Sequence, residues 1–508
     1  MARTERRCPV TELPDLRSHL AALDRLGELR VVTEEVDPDL EVAAFARHSY
    51  ETRSPALLFD RPRGGQGVRL LARQAALSGD PDRPLARVAL SLGRPPDSSA
   101  ADLVRRLAEV RERAPVPPRL VAAGPCQEVV RLGADAGLDR LPVPTLHLGD
   151  GGPYVNTWGT IVARTPDGSW TNWSISRVQQ LDDRRMTGLF VPGQHLTMIW
   201  QMWAERGEPM PFALFQGGAP AIPFVSSMPL PDHVDEVGYL GAYYGRPLDL
   251  VRCVSVDLAV PADAELVIEG TVSTDRDADE GPFGEYPGYL VTETSRQPVY
   301  TVTAVTHRHD AVWPLVAEGR PVDEYHTAAG LCFSAEALGL LHAAGLPVTT
   351  VWSPFETANH WLVVTVAADW RERLPHTGTG ELCDRIGEVV WASKFGFTVP
   401  KLFVLDDDVD PADTGELLWA LGTRQHPVDR SAVSVGEILP ILACYSDAER
   451  QARTGPRVVH DCLLPPVGAG RLAQSSLREA YPADLQARVR RHLDRPPTPH
   501  PAEVVAGG

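Results

Sequence analysis

Glu280-Gly-Pro-Phe-Gly-Glu285 lies at the centre of the run Asp279 to Tyr289, and its residue types exclude a helix there. Pro282 has no amide hydrogen to donate, and each flanking glycine costs about 1 kcal/mol in a helix interior. Two carboxylates therefore sit at the ends of a sharply bent loop. Such a loop stabilises a fold poorly, but it holds an acid or base well against a substrate.

Outward from this loop, residues 119–318 read as short β-type runs separated by Gly, Pro and Asp turns: Thr157 to Thr165, Leu250 to Leu258, Glu265 to Ser273 and Val299 to His307. This texture predicts a barrel or meander core. One helix interrupts it, from Gln194 to Arg206. Before the linker Pro115-Val-Pro-Pro118, residues 1–118 read as a small α/β domain. Amphipathic helices are predicted over 12–28, 38–49 and 98–113, with a strand over 28–32 and Ser98 or Ser99 as an N-cap. Residues 319–495 alternate again, with helices over 327–344, 380–394 and 412–421 and strands over 347–351, 361–367 and 400–405. That pattern predicts a C-terminal α/β domain, followed by a Pro- and Gly-rich, disordered tail over 496–508. The fold class is α+β and multidomain, in line with about three domains for a chain this long.

Composition narrows the partners. The chain has 49 basic and 67 acidic side chains, a net charge of −18, which argues against nucleic acid and anionic membrane surfaces because phosphate binding needs clustered positive charge. The longest apolar run, Trp361 to Ala368, is far too short to span a bilayer. Seven cysteines are dispersed without a CxxC pair, which fits a reducing cytoplasm better than a disulfide framework or a cysteine zinc site.

Two local matches are decoys. Asp275-x-Asp277-x-Asp279 opens like a calcium loop, but Glu280 replaces its glycine and Tyr286 its final glutamate. Gly468-x-Gly470-x-x-Ala473 follows two prolines where a dinucleotide fingerprint needs a strand. There is no P-loop, HExxH or GxSxG.

Three other stretches concentrate polar groups. Thr171-Asn-Trp-Ser-Ile-Ser-Arg177 reads as a strand with Asn172, Ser174 and Ser176 on one face and Trp173, Ile175 and Arg177 on the other. Pro192-Gly-Gln-His195 opens a helix, whose free amides and positive dipole end suit a phosphate. Ser226-Ser-Met-Pro-Leu-Pro231, followed by Glu236, is a proline-stiffened loop. Taken singly these are an edge strand, a cap and a loop.

Together with Glu280–Glu285 and Lys394-Phe-Gly-Phe397, in this order along the chain, they resemble the UbiD-type decarboxylases, particularly the ferulic and cinnamic acid decarboxylase branch. The resemblance covers about residues 150–430 and implies that residues 119–318 form a split β-barrel that binds prenylated FMN, with a divalent ion, usually manganese, and a potassium ion at its phosphate. It assigns the divalent ion to Asn172, His195 and Glu236, and potassium to Ser226 and Met228 with Glu236 shared. A mixed nitrogen and oxygen set of this kind suits a hard to borderline cation. By the same resemblance Ser174, Ile175, Ser176, Arg177, Gln194, Ser227 and Lys394 contact the flavin or its phosphate. Arg177, Glu280 and Glu285 form the acid–base network, with Glu285 as proton donor; the residues alone do not rank Glu285 above Glu280.

The implied reaction is reversible, non-oxidative decarboxylation of an α,β-unsaturated acid. It runs through a 1,3-dipolar cycloaddition to the modified flavin, loss of CO2 and protonation by Glu285. Ala328 and Ala329 stand where cinnamate-acting relatives tend to carry bulkier aliphatics, which implies a roomier pocket and a bulky natural-product acid. An aromatic or heteroaromatic acid, decarboxylated or carboxylated, is the alternative substrate class. A non-catalytic protein that binds flavin and metal phosphate is the alternative of another kind. The family further implies a flavin prenyltransferase as cofactor supplier and a homodimer or hexamer. Residues 435–444 depart from the family pattern and carry no assigned role.

Overall fold

Strands Ala264–Val272 and Val299–His307 are nine residues long and rich in β-branched side chains, so they form the antiparallel middle of a nine-stranded sheet. Arg185–Gly188, Val178–Gln180 and Tyr154–Asn156 extend it on one side, and Met210–Gly217, Thr160–Arg164 and Thr171–Ser174 on the other. Val129–Leu132 pairs with the remaining part of Val299–His307. The two end strands do not pair with each other, so the barrel is open. Register shifts occur at Gln216/Gly217 and Glu269/Gly270. At Gly270 a Cβ would lie 1.9 Å from the Thr301 carbonyl oxygen, so only glycine fits this bulge. The computed structural model describes residues 14–467 and 470–493. Cys8, residues 468–469 of the Gly468 match and the tail 496–508 lie outside the described residues.

The predicted run Leu250 to Leu258 is divided. Asp249–Arg252 and Ala259–Pro261 pair with each other and, through the former, with Arg119–Val121 in a separate three-stranded sheet. The reason is the buried Glu269 carboxylate, which accepts from Val254 N at 3.0 Å and Ser255 N at 2.7 Å and so draws the intervening loop out of extended pairing.

The N-terminal sheet runs Leu29–Val36, Ala56–Pro62, Arg69–Ala72 and then Val312–Leu315. A strand from just before residue 318 thus completes the sheet begun by the first hundred residues. Helix Ala100–Val110 is capped by Ser99, whose side chain accepts from Asp102 N. The C-terminal sheet has the order Val348–Trp352, Trp361–Val366, Lys401–Asp406, Thr454–Asp461, Ser431–Glu437. Among the described residues no helix is long and apolar enough to cross a membrane.

Helix Glu324–Ala343 links the domains. It begins three residues earlier than its apolar pattern predicts because Asp323 and His326 form a reciprocal capping box. It is buried on nearly all sides, as an apolar twenty-residue helix without one polar face must be. At its start Glu324 accepts a 2.5 Å hydrogen bond from Tyr50 of helix Glu41–Glu51, in a fully buried pair.

Burial, with Asp323 beside it, pushes the Glu324 carboxyl up from 4.5 to about 7, against the opposing pull of Tyr50 and Arg73. The folded state therefore holds a proton that the unfolded chain releases. Stability present below pH 4.5 is lost as the pH rises towards about 7. Glu324→Gln should flatten that decline, which is on the order of 2 kcal/mol. Thermal unfolding at pH 5 and pH 8 tests this; identical slopes in the variant and the parent would refute it.

Candidate active site

A cavity of about 1180 Å³ opens between the central sheet and the C-terminal domain. Its walls come from residues 172–177, the start of helix His195–Glu205, the loop after Ile222–Ser226, the Glu280–Glu285 loop and residues of the C-terminal domain.

The Glu280–Glu285 loop is non-helical, as its residues predict. Gly281 has φ +89°, a conformation open to glycine, and the Gly281–Pro282 peptide is cis. Gly281 N donates to Gln179 Oε1 at 2.9 Å, and Gly284 N donates to Asp150 Oδ1 at 3.1 Å. Gly284 abuts the His147 ring so closely that a Cβ would lie 2.3 Å from Nδ1. The bend is thus clamped on both sides, and both glutamates line the cavity.

Arg177 bridges them. Its Nε and Nη2 donate to the two Glu280 oxygens at 2.8 and 3.1 Å, and its Nη1 donates to Glu285 Oε1. Phe283 stacks beneath the guanidinium, 4.8 Å from its carbon to the ring centroid. Burial opposes the arginine's charge, but Glu285 and Glu280 together raise its pKa above the ordinary value. The two acids are held differently. Both Glu280 oxygens are engaged, Oε1 also by the Tyr154 hydroxyl at 3.2 Å, whereas among the described residues Glu285 is held through one oxygen only.

The opposite wall carries a second polar cluster. Asn172 Nδ2 lies 2.8 Å from Glu236 Oε1, His195 Nδ1 is 3.8 Å from the same oxygen, and Trp173 N donates to Glu236 Oε2 at 2.7 Å. Burial pushes the Glu236 carboxyl up, with His195 and the Trp173 amide pulling the other way. Asp232 turns the imidazole by pairing with His195 Nε2 at 2.9 Å and also meets Lys394 Nζ at 3.4 Å. Burial lowers the Lys394 pKa, an effect that Asp232 opposes.

These donors fit a cation bound to a phosphate group. An imidazole nitrogen, a carboxylate and an amide converge, the amide being able to present its oxygen by rotation. Gln194 gives no side-chain cap to helix His195–Glu205, so first-turn amides are left for an anion. Thr197 Oγ1 and Trp173 Nε1, both on cavity-lining residues, are buried without a partner among the described residues.

The structure brings Asn172, Ser174, Ile175, Ser176, Arg177, Gln194, His195, Ser226, Ser227, Met228, Glu236, Glu280, Glu285, Ala329 and Lys394 onto this one cavity. Two expectations need correction. Ala328 is in the apolar core and only Ala329 lines the cavity, because successive residues of a helix point about 100° apart. The strand over 171–177 ends at Ser174. Beyond it Asn156 Nδ2 binds the Ser176 carbonyl at 2.8 Å and Ser176 Oγ the Leu189 carbonyl at 2.8 Å, so strand alternation no longer sorts the faces and Arg177 can turn inward.

Asp232, Tyr154, Gln179 and Glu318 are site residues that the motifs do not reveal. Asp232 alone had a sequence signal, its place in the polar loop between Pro231 and Glu236. Leu439, Pro440 and Ile441, from the stretch without an assigned role, also line the cavity.

Comparison with known proteins accords with this geometry. The chain matches the N-terminal, Rift-related and C-terminal domain models of 3-octaprenyl-4-hydroxybenzoate carboxy-lyase (UbiD) over residues 20–107, 119–321 and 326–462. It is 40% identical to pyrrole-2-carboxylic acid decarboxylase of Pseudomonas aeruginosa, across 94% of this chain and 96% of that protein. It is 35% identical to ferulic acid decarboxylase 1 of Saccharomyces cerevisiae, across 89% and 91%. Its structure superposes with a TM-score of 0.75 on an evolved dimeric form of the UbiD-class enzyme HmfF from Pelotomaculum thermopropionicum in complex with prFMN. That match has 28% identity and covers 91% of this chain and 98% of the other. With all three domains matched and the arginine-bridged glutamates facing one cavity, the chain belongs to the UbiD family of carboxy-lyases.

Proposed function

We propose that the protein removes CO2 from an α,β-unsaturated or heteroaromatic carboxylic acid, with prenylated FMN as cofactor and Glu285 as proton donor. One observation carries the reading: the cavity sets Arg177, bridging Glu280 and Glu285, opposite a cluster of nitrogen and oxygen donors suited to a phosphate-bound cation. When bound, the flavin supplies the electron sink that no side chain offers for a carbanion on an sp2 carbon. Asn172, His195 and Glu236 would hold a divalent ion such as Mn2+, and oxygens of Ser226 and Met228 a K+ ion. Lys394 and the amides of the helix start would bind the phosphate. Gln194, Ser174, Ile175, Ser176 and Ser227 line the same face.

Arg177 holds Glu280 as a fixed carboxylate and leaves the second oxygen of Glu285 free to carry a proton to the carbon that has lost CO2. Phe333 and Phe395, stacked 5.0 Å apart, give the same cavity an apolar stretch of wall. The 40% identical relative named for pyrrole-2-carboxylic acid favours a heteroaromatic substrate over a cinnamate-like one.

The test is co-expression with a flavin prenyltransferase, followed by absorption and mass measurement of the bound cofactor and assay against unsaturated, heteroaromatic and aromatic acids. Absence of bound flavin, or of CO2 release from every acid, sinks the reading. Ala329 is buried but lines the cavity, so its small side chain would set the room in the pocket. Ala329→Ile is expected to lower kcat/KM for bulky acids by about 10–200-fold while sparing acrylate-like ones. Equal loss for both would show that the side chain does not set size.

A further inference from the structure

Residues 316–320 lead from strand Val312–Leu315 towards helix Glu324–Ala343, and side chains hold the backbone of four of them. Val316 N donates to Thr157 Oγ1 at 2.9 Å; the Ala317 and Arg320 carbonyls accept from Arg47 at 3.0 and 2.5 Å. The Glu318 carbonyl is 2.7 Å from His147 Nε2, while that ring's Nδ1 faces Asp150 Oδ2 at 3.3 Å. The segment is therefore rigid, and it brings Glu318 to the cavity wall with Glu285, Tyr286 and Tyr325. Unlike every other acid of that wall, Glu318 makes no hydrogen bond or ion pair through its carboxyl with any described residue.

A carboxyl half-buried in a largely apolar wall is costly when it lacks a partner. Neither the Arg177 network nor the phosphate-end cluster uses it. A ligand that supplies the missing donor is then favoured over an isostere that does not, which is how buried polar groups produce large discrimination. We infer that Glu318 is a specificity-determining residue, selecting acids that carry an N–H or O–H donor on the unsaturated framework over isosteres with an ether oxygen there. This rests on the decarboxylase reading above.

Burial, with Asp323 and Glu285 nearby, pushes the Glu318 carboxyl well above the ordinary carboxylate range, against the pull of Arg177. A neutral carboxyl keeps an oxygen to accept from the donor and adds no repulsion toward a substrate carboxylate.

The matched probes are pyrrole-2-carboxylate and furan-2-carboxylate, which differ in ring N–H against ring oxygen. Calorimetric Kd and kcat/KM are measured on the flavin-loaded parent, Glu318→Ala and Glu318→Gln, with the flavin spectrum reporting an intact site. The parent should prefer the N–H acid by about tenfold or more. Glu318→Ala should bring the two acids to within about threefold, and Glu318→Gln, which keeps an acceptor oxygen, should restore the preference. A parent without preference, an unaltered ratio in Glu318→Ala, or a Gln variant as indifferent as Ala overturns the inference alone. A loaded parent that decarboxylates no acid of the panel overturns the decarboxylase reading, and this inference with it.

Discussion

Glu285→Gln should lower kcat by about 10²–10⁴-fold, the range general acid catalysis supplies, while the variant still binds flavin. The asymmetry of the bridge is the reason. Glu280 is fastened through both oxygens by Arg177 and once more by Tyr154, whereas Glu285 meets Arg177 through one oxygen and faces the cavity with the rest of its carboxyl. An acid that must give up a proton and recover it needs one unfastened oxygen. The amide keeps size and an acceptor for Arg177 but cannot cycle a proton. Measurement of kcat together with the flavin spectrum decides the matter: a variant that keeps its cofactor and turns over at the parent's rate would assign the proton to another group.

Arg177→Ala carries the second large effect, this time on stability as well as turnover. Removing the guanidinium leaves two nearly buried carboxylates facing each other with no cation between them. Breaking a buried ion pair from one side costs about 3–5 kcal/mol, and here the stacking on Phe283 is lost too. Calorimetric unfolding should show a clear drop in Tm, with decarboxylation below detection. Arg177→Lys should recover part of the stability and little activity, because a single ammonium cannot bond to three carboxylate oxygens in fixed directions. If Arg177→Ala melted at the parent's temperature, the bridge would be a surface-like pair of little weight.

Several parts of the site were legible locally. Pro282 with its flanking glycines forbids a helix between the two acids, and the clamped bend is what those residues demand. Gln194-His195 reads as a helix start and is one. Local pattern failed where a distant side chain intervened. Glu269 divides the expected strand by holding the Val254 and Ser255 amides, and Asn156 ends pairing beyond Ser174 by capturing the Ser176 carbonyl. Glu318 lies in a loop with no periodicity around it, so no spacing rule could single it out, and Asp232 had only its place in the polar loop before Glu236 as a signal.

By itself the sequence determined the two-acid bend, the order of the polar motifs and the alternation of apolar residues that builds the helices and strands, because backbone preference and burial are written at near neighbours. Only the tertiary structure decided how Arg177 divides its bonds between Glu280 and Glu285, that Asp232 orients His195, and that the Glu318 carboxyl stands at the cavity wall without a partner among the described residues. Those facts depend on which strands pair and where bulges and loops turn them. A hydrogen bond acts over about 3 Å in space, whatever the separation along the chain.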